Sequence, residues 1–407
     1  MPTTCLFPAR GCWPQDPTYG TRPSQDTGRL WSSLSGLAGR PLWSSTPWLD
    51  VGLPQGLQSV AHPTSLSGGR QRTSGGGGSD GGPLRSIGGR EPDGRPRFDQ
   101  EVPSGGYLWW YVDGLSDCGQ HGITIIVFVG SVFSPYSRTA LRRAASQGTL
   151  VDAQNHCSVN VALYSPGQQR WAMTERGARW LSRGRDFYQL GPSAVHWHAD
   201  RLTIEVEEWS NPIPRRLRGR VTLHPEQLFS QVEHLDTNGL HRWGPLAPNS
   251  RIEVDFSQPG LRWQGRGYLD SNEGDEPIDR PFVDWDWSRS EQSDGSCAVV
   301  YDVRQRDGQE ILLAKRYSAS GQITDFVPPG RQQLGRTGWR IGRQLRSGGA
   351  SLGSLRTLED TPFYARSMVQ AQSLGEQVPV MHETLVLDRL VSPVVQWMLP
   401  WRMPRRS

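Results

Sequence analysis

Lysine is almost missing from this chain: of its 44 basic residues, only Lys315 is a lysine and the rest are arginine. Codon bias in a GC-rich, bacterial genome explains this. Selection for forked guanidinium contacts would not place arginine at every surface position. Cysteine is sparse as well. Cys5, Cys12, Cys118, Cys157 and Cys297 form no CxxC pair and no zinc-finger spacing. An odd, widely spaced set is not a disulfide framework and fits a reducing compartment. No apolar run approaches the ~18 residues of a transmembrane helix. Met1 to Arg40 holds no apolar stretch after a basic start, so a secretory leader is not expected. The histidines include no HExxH, and neither the His196/His198 pair nor the lone His241 has metal-type partners nearby, so no metal is expected. The formal charge is only +4, without a basic block, which argues against a nucleic-acid partner.

Two textures are present. Residues 1–102 are rich in Gly, Pro, Ser and Arg, peaking at Ser74-Gly75-Gly76-Gly77-Gly78-Ser79. Such a stretch cannot bury enough apolar surface to offset its conformational entropy, so it is expected to be disordered. Translation from an upstream start codon is a second explanation for it.

From Gly105 short β-type runs take over. Tyr107–Val112, Ile123–Val129, Ser158–Tyr164, Leu202–Glu207, Arg218–Leu223, Arg251–Phe256, Ala298–Val303, Glu310–Ala314 and Thr384–Leu387 are the clearest. Several alternate apolar and polar residues, the period of a half-buried strand. Turn signals at Ser165-Pro166-Gly167, His198-Ala199-Asp200, Gln258-Pro259-Gly260 and Arg306-Asp307-Gly308 separate them. Helical periodicity stands out only at Ser137 to Ala145. The expected fold is all-β: a first β-domain over 103–245, a second over 246–388, and a tail over 389–407. That tail mixes Trp397 and Trp401 with Arg402, Arg405 and Arg406. It suits either a membrane–water interface or packing on the barrel.

The segment Gly265 to Pro277 is the densest in chemistry-bearing residues. On a strand, Tyr268 and Asp270 point to one face, and so do His241 and Trp243 just upstream. A carboxyl, a phenol, an indole and an imidazole could thus converge on one pocket. Other roles exist for each. An Asp among glycines often caps a turn, the tryptophans could be core, and His241 could be a hydrogen-bonded structural histidine. The acidic spacing does not fit an EF-hand loop.

Several stretches resemble the carotenoid 1,2-hydratase family, also called hydroxyneurosporene synthases, of purple photosynthetic bacteria. They are Gly106–Asp113, Gly130–Tyr136, Asn155–Tyr164, Trp171–Gly177, Gly267–Pro277, Trp285–Arg289 and Met398–Pro400. The resemblance runs from about Phe98 to the C-terminus, and residues 1–97 show no counterpart within it. It implies a pair of lipocalin-like β-barrels and no metal or organic cofactor. It also implies addition of water to the C1–C2 double bond of an acyclic carotenoid such as neurosporene or lycopene. Asp270 then fits the proton donor. Trp243 and Tyr268 would bind substrate and stabilise a cation, and His241 would act as base or orient the water.

The chemistry is consistent with these roles. An alkene is a poor base, so the donor must hold its proton near neutral pH, whereas a free Asp has a pKa of about 3.9. Burial would raise it. Such a substrate lives in a bilayer. The expected location is therefore peripheral, on the cytoplasmic side of the inner or intracytoplasmic membrane. Two other readings compete: a lipocalin-like carrier without catalysis, and a glycoside hydrolase pairing Asp270 with Asp284 or Asp286.

Overall fold

The structure, a computed structural model, describes residues 87–349 and 351–406. The expected disorder of residues 1–86 lies outside them. The expectation fails for residues 87–102, which are packed. Phe98 is fully buried and its ring lies 4.8 Å from that of Trp110. The Arg90 guanidinium donates to Gly244 O at 2.5 Å and to Ser271 Oγ at 2.7 Å. Composition could not reveal this, because a few anchoring side chains hold an otherwise polar strap in place.

The meander β1 (Tyr107–Ser116), β2 (Gly122–Val129), β3 (Cys157–Tyr164) and β4 (Arg170–Arg176) opens the larger sheet. The strands β5 (Leu181–Arg183), β6 (Phe187–Leu190), β7 (Ser193–His198), β8 (Arg201–Trp209) and β9 (Arg216–Pro225) follow as antiparallel hairpins. After the short β10 (Glu233–His234) come β11 (His241–Gln258) and β12 (Leu261–Gly274), which join the two series. The sheet runs β4-β3-β2-β1-β12-β11-β9-β8-β7-β6-β5, with β10 on β11. Turn glycines Gly167 and Gly308 sit at positive φ (69° and 85°), as turns at these signals require.

The second sheet contains β13 (Phe282–Glu291), β14 (Cys297–Gln305), β15 (Glu310–Tyr317) and β16 (Ile323–Asp325). The hairpin β17 (Arg331–Leu334) and β18 (Arg343–Arg346) stands apart from it. The strands β19 (Leu355–Asp360), β20 (Tyr364–Ser373) and β21 (Glu376–Val386) complete it, in the order β16-β15-β14-β13-β21-β20-β19. The change of sheet thus falls between Gly274 and Phe282. Gly244-Pro245, where the composition suggests a boundary, lies inside β11, which runs straight through it.

Among the described residues three α-helices punctuate this all-β, lipocalin-like fold. The expected helix is α1 (Pro135–Gln147), capped by Ser134 Oγ accepting from Ser137 N at 2.9 Å and ended by Gly148 at φ 65°. Leu387 opens α2 (Leu387–Leu390) instead of extending the strand before it. The chain then forms α3 (Pro393–Arg402) and ends in β22 (Arg405–Arg406), which pairs with β4.

Strand β1 decides where the site lies. It is buried on both faces, and its side chains alternate between two cores. Leu108, Trp110 and Val112 enter the first core, enclosed by the curled larger sheet. Tyr107, Trp109 and Tyr111 enter the second, where the outer face of that sheet meets the second sheet. Each fully buried side chain of this size contributes roughly 2–3 kcal/mol of hydrophobic stabilisation. Both faces of β1 are therefore fixed, and a one-residue slip would exchange the two cores.

Candidate functional site

A cavity of about 290 Å³ lies in the second core. Its inner end is lined by Trp109, Tyr111, Trp243, Asp270, Trp285, Trp287 and Tyr301, all buried. Its outer end reaches Trp339 and Arg402, both exposed, and is walled by Val395, Met398 and Leu399 of α3. Apolar walls with few polar groups suit a hydrocarbon ligand, and the size suits the end of a long chain.

Asp270 sits at the inner end, 5% exposed. Its Cα pairs with Tyr111 of β1 on one side and Pro245 of β11 on the other. Both hydrogen bonds to its carboxyl end on Oδ2: Trp243 Nε1 donates at 2.8 Å and the Tyr268 hydroxyl at 2.9 Å. The Asp270 pKa is pushed up to about 7: burial is the main cause, the two donors oppose it, and the nearby carboxylates Glu383 and Asp113 add to it. This is an acid that keeps its proton near neutrality.

The expected convergence of Tyr268, Asp270 and Trp243 is present, but the roles divide. Trp243 and Asp270 line the cavity; Tyr268 stands behind them. The Tyr268 ring already carries the Arg289 guanidinium at 5.2 Å and packs edge-on to Trp287 at 5.5 Å. Arg289 is itself ion-paired with Asp113. The geometry makes Tyr268 a holder of Asp270.

His241 is not in the cavity lining. It pairs with Gly274, four residues along β12 from Asp270. Its Nδ1 is 2.9 Å from the Tyr107 hydroxyl, its backbone N–H donates to Asp236 at 2.8 Å, and its ring packs on Phe282 at 4.8 Å. Burial lowers its pKa, partly opposed by Asp236 and Glu276. It lies on the face of Trp243, as expected, but too far along the strand to meet a substrate beside Asp270.

Sequence patterning missed the opposite wall. Glu383 of β21 lines the cavity across from β12. Its Oε1 is 2.6 Å from the Tyr111 hydroxyl and ion-paired with the fully buried Arg366. Arg366 also donates to Tyr111 Oη at 2.5 Å and to Tyr364 Oη at 3.0 Å, and lies over the rings of Tyr111 and Tyr164. Glu359, also in the lining, accepts from Tyr164 at 2.8 Å; burial raises its pKa. The signal available was the alternation Met381, Glu383, Leu385, which places a carboxylate on an apolar face.

Asp284 and Asp286 do not form a catalytic pair with Asp270. Arg304 pairs with both, Thr384 donates to Asp286 at 2.5 Å, and neither lines the cavity. Among the described residues no group of three His, Cys, Asp or Glu side chains is arranged to hold a metal ion.

Comparison with known proteins gives three results. The profile of the family described as carotenoid hydratase CrtC matches residues 125–407. A protein of Rubrivivax gelatinosus described as acyclic carotenoid 1,2-hydratase is 51% identical over 386 residues, 95% of this chain and 94% of that one. One of the same description from Thiocapsa roseopersicina is 46% identical over 382 residues, 93% of each chain. Alignments of that extent take in most of residues 1–97, which therefore do have counterparts, contrary to expectation. A crystal structure of an AttH candidate from Nitrosomonas europaea superposes with a TM-score of 0.51 at 17% identity, covering 76% of this chain and 98% of that one. That likeness concerns the fold alone.

Proposed function

Because the chain belongs to the carotenoid hydratase CrtC family, we propose that it is an enzyme adding water across the C1–C2 double bond of an acyclic carotenoid, neurosporene or lycopene being the type. The carrying observation is Asp270: a buried carboxyl with a pKa of about 7 lining an aromatic cavity. Trp243 and Tyr268 hold Oδ2, and among the described residues no hydrogen bond ends on Oδ1. Oδ1 therefore carries the proton toward the substrate. Transfer to C2 leaves a tertiary cation at C1. Trp243, Trp285, Trp287 and Tyr301 line the same cavity, and an aromatic face there would attract that cation by about 2 kcal/mol or more where desolvated. The attraction exists only after charge has formed, so it lowers the barrier. Water then attacks C1 and gives the 1-hydroxy-1,2-dihydro product.

A carrier would gain nothing from a buried, protonated carboxyl in the wall of its pocket, so the enzyme reading is preferred. The test is incubation with lycopene in deuterated water beside Asp270→Asn. A product heavier by one water, with deuterium at C2 and absent from the variant, supports the reading. Pigment bound but unchanged by the native protein refutes it.

The substrate's home suggests how the enzyme meets it. Among the described residues no helix is long and apolar enough to cross a membrane. Helix α3, whose inner face walls the cavity, exposes Val394, Trp397 and Trp401 on its outer face. The two indoles pack edge-on at 6.1 Å, and the exposed Arg402 and Arg406 follow closely in the chain. Amphipathic aromatic and cationic side chains of this kind seat in the headgroup layer. We read α3 as the contact with the bilayer, on the cytoplasmic face, so that the polyene passes from lipid into the cavity. Vesicle binding by Trp397 and Trp401 variants tests it.

A further inference from the structure

Hydration needs a second group, one that holds the water and takes its proton once C–O bond formation begins. His241, the candidate from sequence, stands outside the cavity lining. We infer that Glu383 is this group. The inference rests on the hydratase reading and adds the base.

Glu383 projects from β21, on the wall facing Asp270, with 13% of its side chain exposed. Tyr111 links the two walls. Its Cα pairs with Asp270 in the β1–β12 ladder, and its hydroxyl is 2.6 Å from Glu383 Oε1. Trp287 pairs with Glu383 across the β13–β21 ladder and also lines the cavity. The acid, the cation-facing rings and this carboxylate thus border one space.

The partners of Glu383 also suit the role. Tyr111 and Arg366 both engage Oε1, and among the described residues no hydrogen bond ends on Oε2. One oxygen is anchored and the other is left for a water. Arg366 is fully buried and bonded to Tyr111, Tyr364 and Thr124, so the anchor is rigid. Glu359 is the weaker candidate: its partner Tyr164 lies on β3, and among the described residues no strand ladder places that partner beside Asp270, as Tyr111 is.

The step balances. The Asp270 O–H bond breaks as the C2–H bond forms, and the double-bond electrons supply that bond. The water oxygen forms the C1–O bond with a lone pair, and one of its protons passes to Glu383. The alkene and water become the tertiary alcohol, Asp270 is left ionised and Glu383 protonated. A proton returns from Glu383 to Asp270 through water after product leaves.

The two half-steps separate in deuterated water. In Glu383→Gln, Asp270 still delivers a deuteron to C2, but the uncaptured cation returns a proton from C2 to the Asp270 carboxylate and reverts to lycopene that keeps the deuterium. Alcohol formation from lycopene should fall by about 100-fold or more, while deuterium entry into recovered lycopene stays within a few-fold of the native protein. Asp270→Asn should lose both. Deuterium entry also reports that Glu383→Gln is folded. If that variant fails to fold with Arg366 unpaired, Glu383→Asp keeps the charge, and it should lose alcohol at least tenfold with deuterium entry intact. Alcohol formed by either folded variant at the native rate would overturn the inference, as would loss of deuterium entry in step with alcohol. Alcohol absent from the native protein itself would bring down the hydratase reading, and this inference with it.

Discussion

Trp243 reaches Asp270 diagonally across the β11–β12 pair: its own Cα partner is Asn272, yet its Nε1 lies 2.8 Å from Asp270 Oδ2. In the proposed mechanism this bond couples one of the cavity's aromatic rings to the acid. The N–H steadies the ionised form of Asp270 and so lowers a pKa that burial raises.

Trp243→Phe should therefore raise the Asp270 pKa further, by up to about one unit for a lost charge-assisted hydrogen bond. The falling limb of the pH–rate profile should move to higher pH. Turnover at pH 6 should drop about tenfold, because phenylalanine attracts a cation less well than tryptophan. A limb that stays in place would show that this bond does not tune the acid.

In the native protein, kcat/KM should fall as pH rises through about 7, where Asp270 loses its proton. Stability should show the same group. The folded pKa lies above the unfolded one, so the protonated carboxyl's contribution is complete below about 4 and lost as pH rises through about 7. Asp270→Asn removes that loss. The variant should be inactive, yet more stable than the native protein at pH 8 by roughly 4 kcal/mol at most, with the gap closing toward pH 4. Denaturant unfolding at both pH values checks this, and equal gaps would contradict it.

His241→Gln should leave turnover within about threefold of native. Its ring meets Tyr107 and Phe282 outside the cavity lining. The cost should appear in stability, about 1–3 kcal/mol for the disturbed buried hydrogen bond. Steady-state kinetics and thermal unfolding separate the outcomes. A hundredfold loss of kcat with an unchanged Tm would return the base role to His241.

Replacing both Trp397 and Trp401 by serine should weaken vesicle binding and reduce turnover of lycopene embedded in liposomes at least tenfold, by loss of two interfacial anchors. Turnover of detergent-dispersed lycopene should be unchanged, because both side chains point away from the cavity. Cosedimentation with vesicles and parallel assays in the two media decide it.

The period of two in β1 and β12 is written in the sequence. It put Tyr268 and Asp270 on one face of β12, and the same period put His241 and Trp243 on one face of β11, because side-chain direction in a strand depends only on the residue count. Turn residues such as Gly167 and Gly308 likewise marked where strands end. Periodicity does not say which faces meet. Glu383 joins Tyr111 across 272 residues because the second sheet packs on the outer face of the first. His241 is left aside because distance along a strand separates it from Asp270, even on the correct face. Tyr268 holds the acid because Arg289, from the other sheet, already covers its ring. Local backbone geometry set the direction of each side chain, and the packing of two sheets decided which of them share a space.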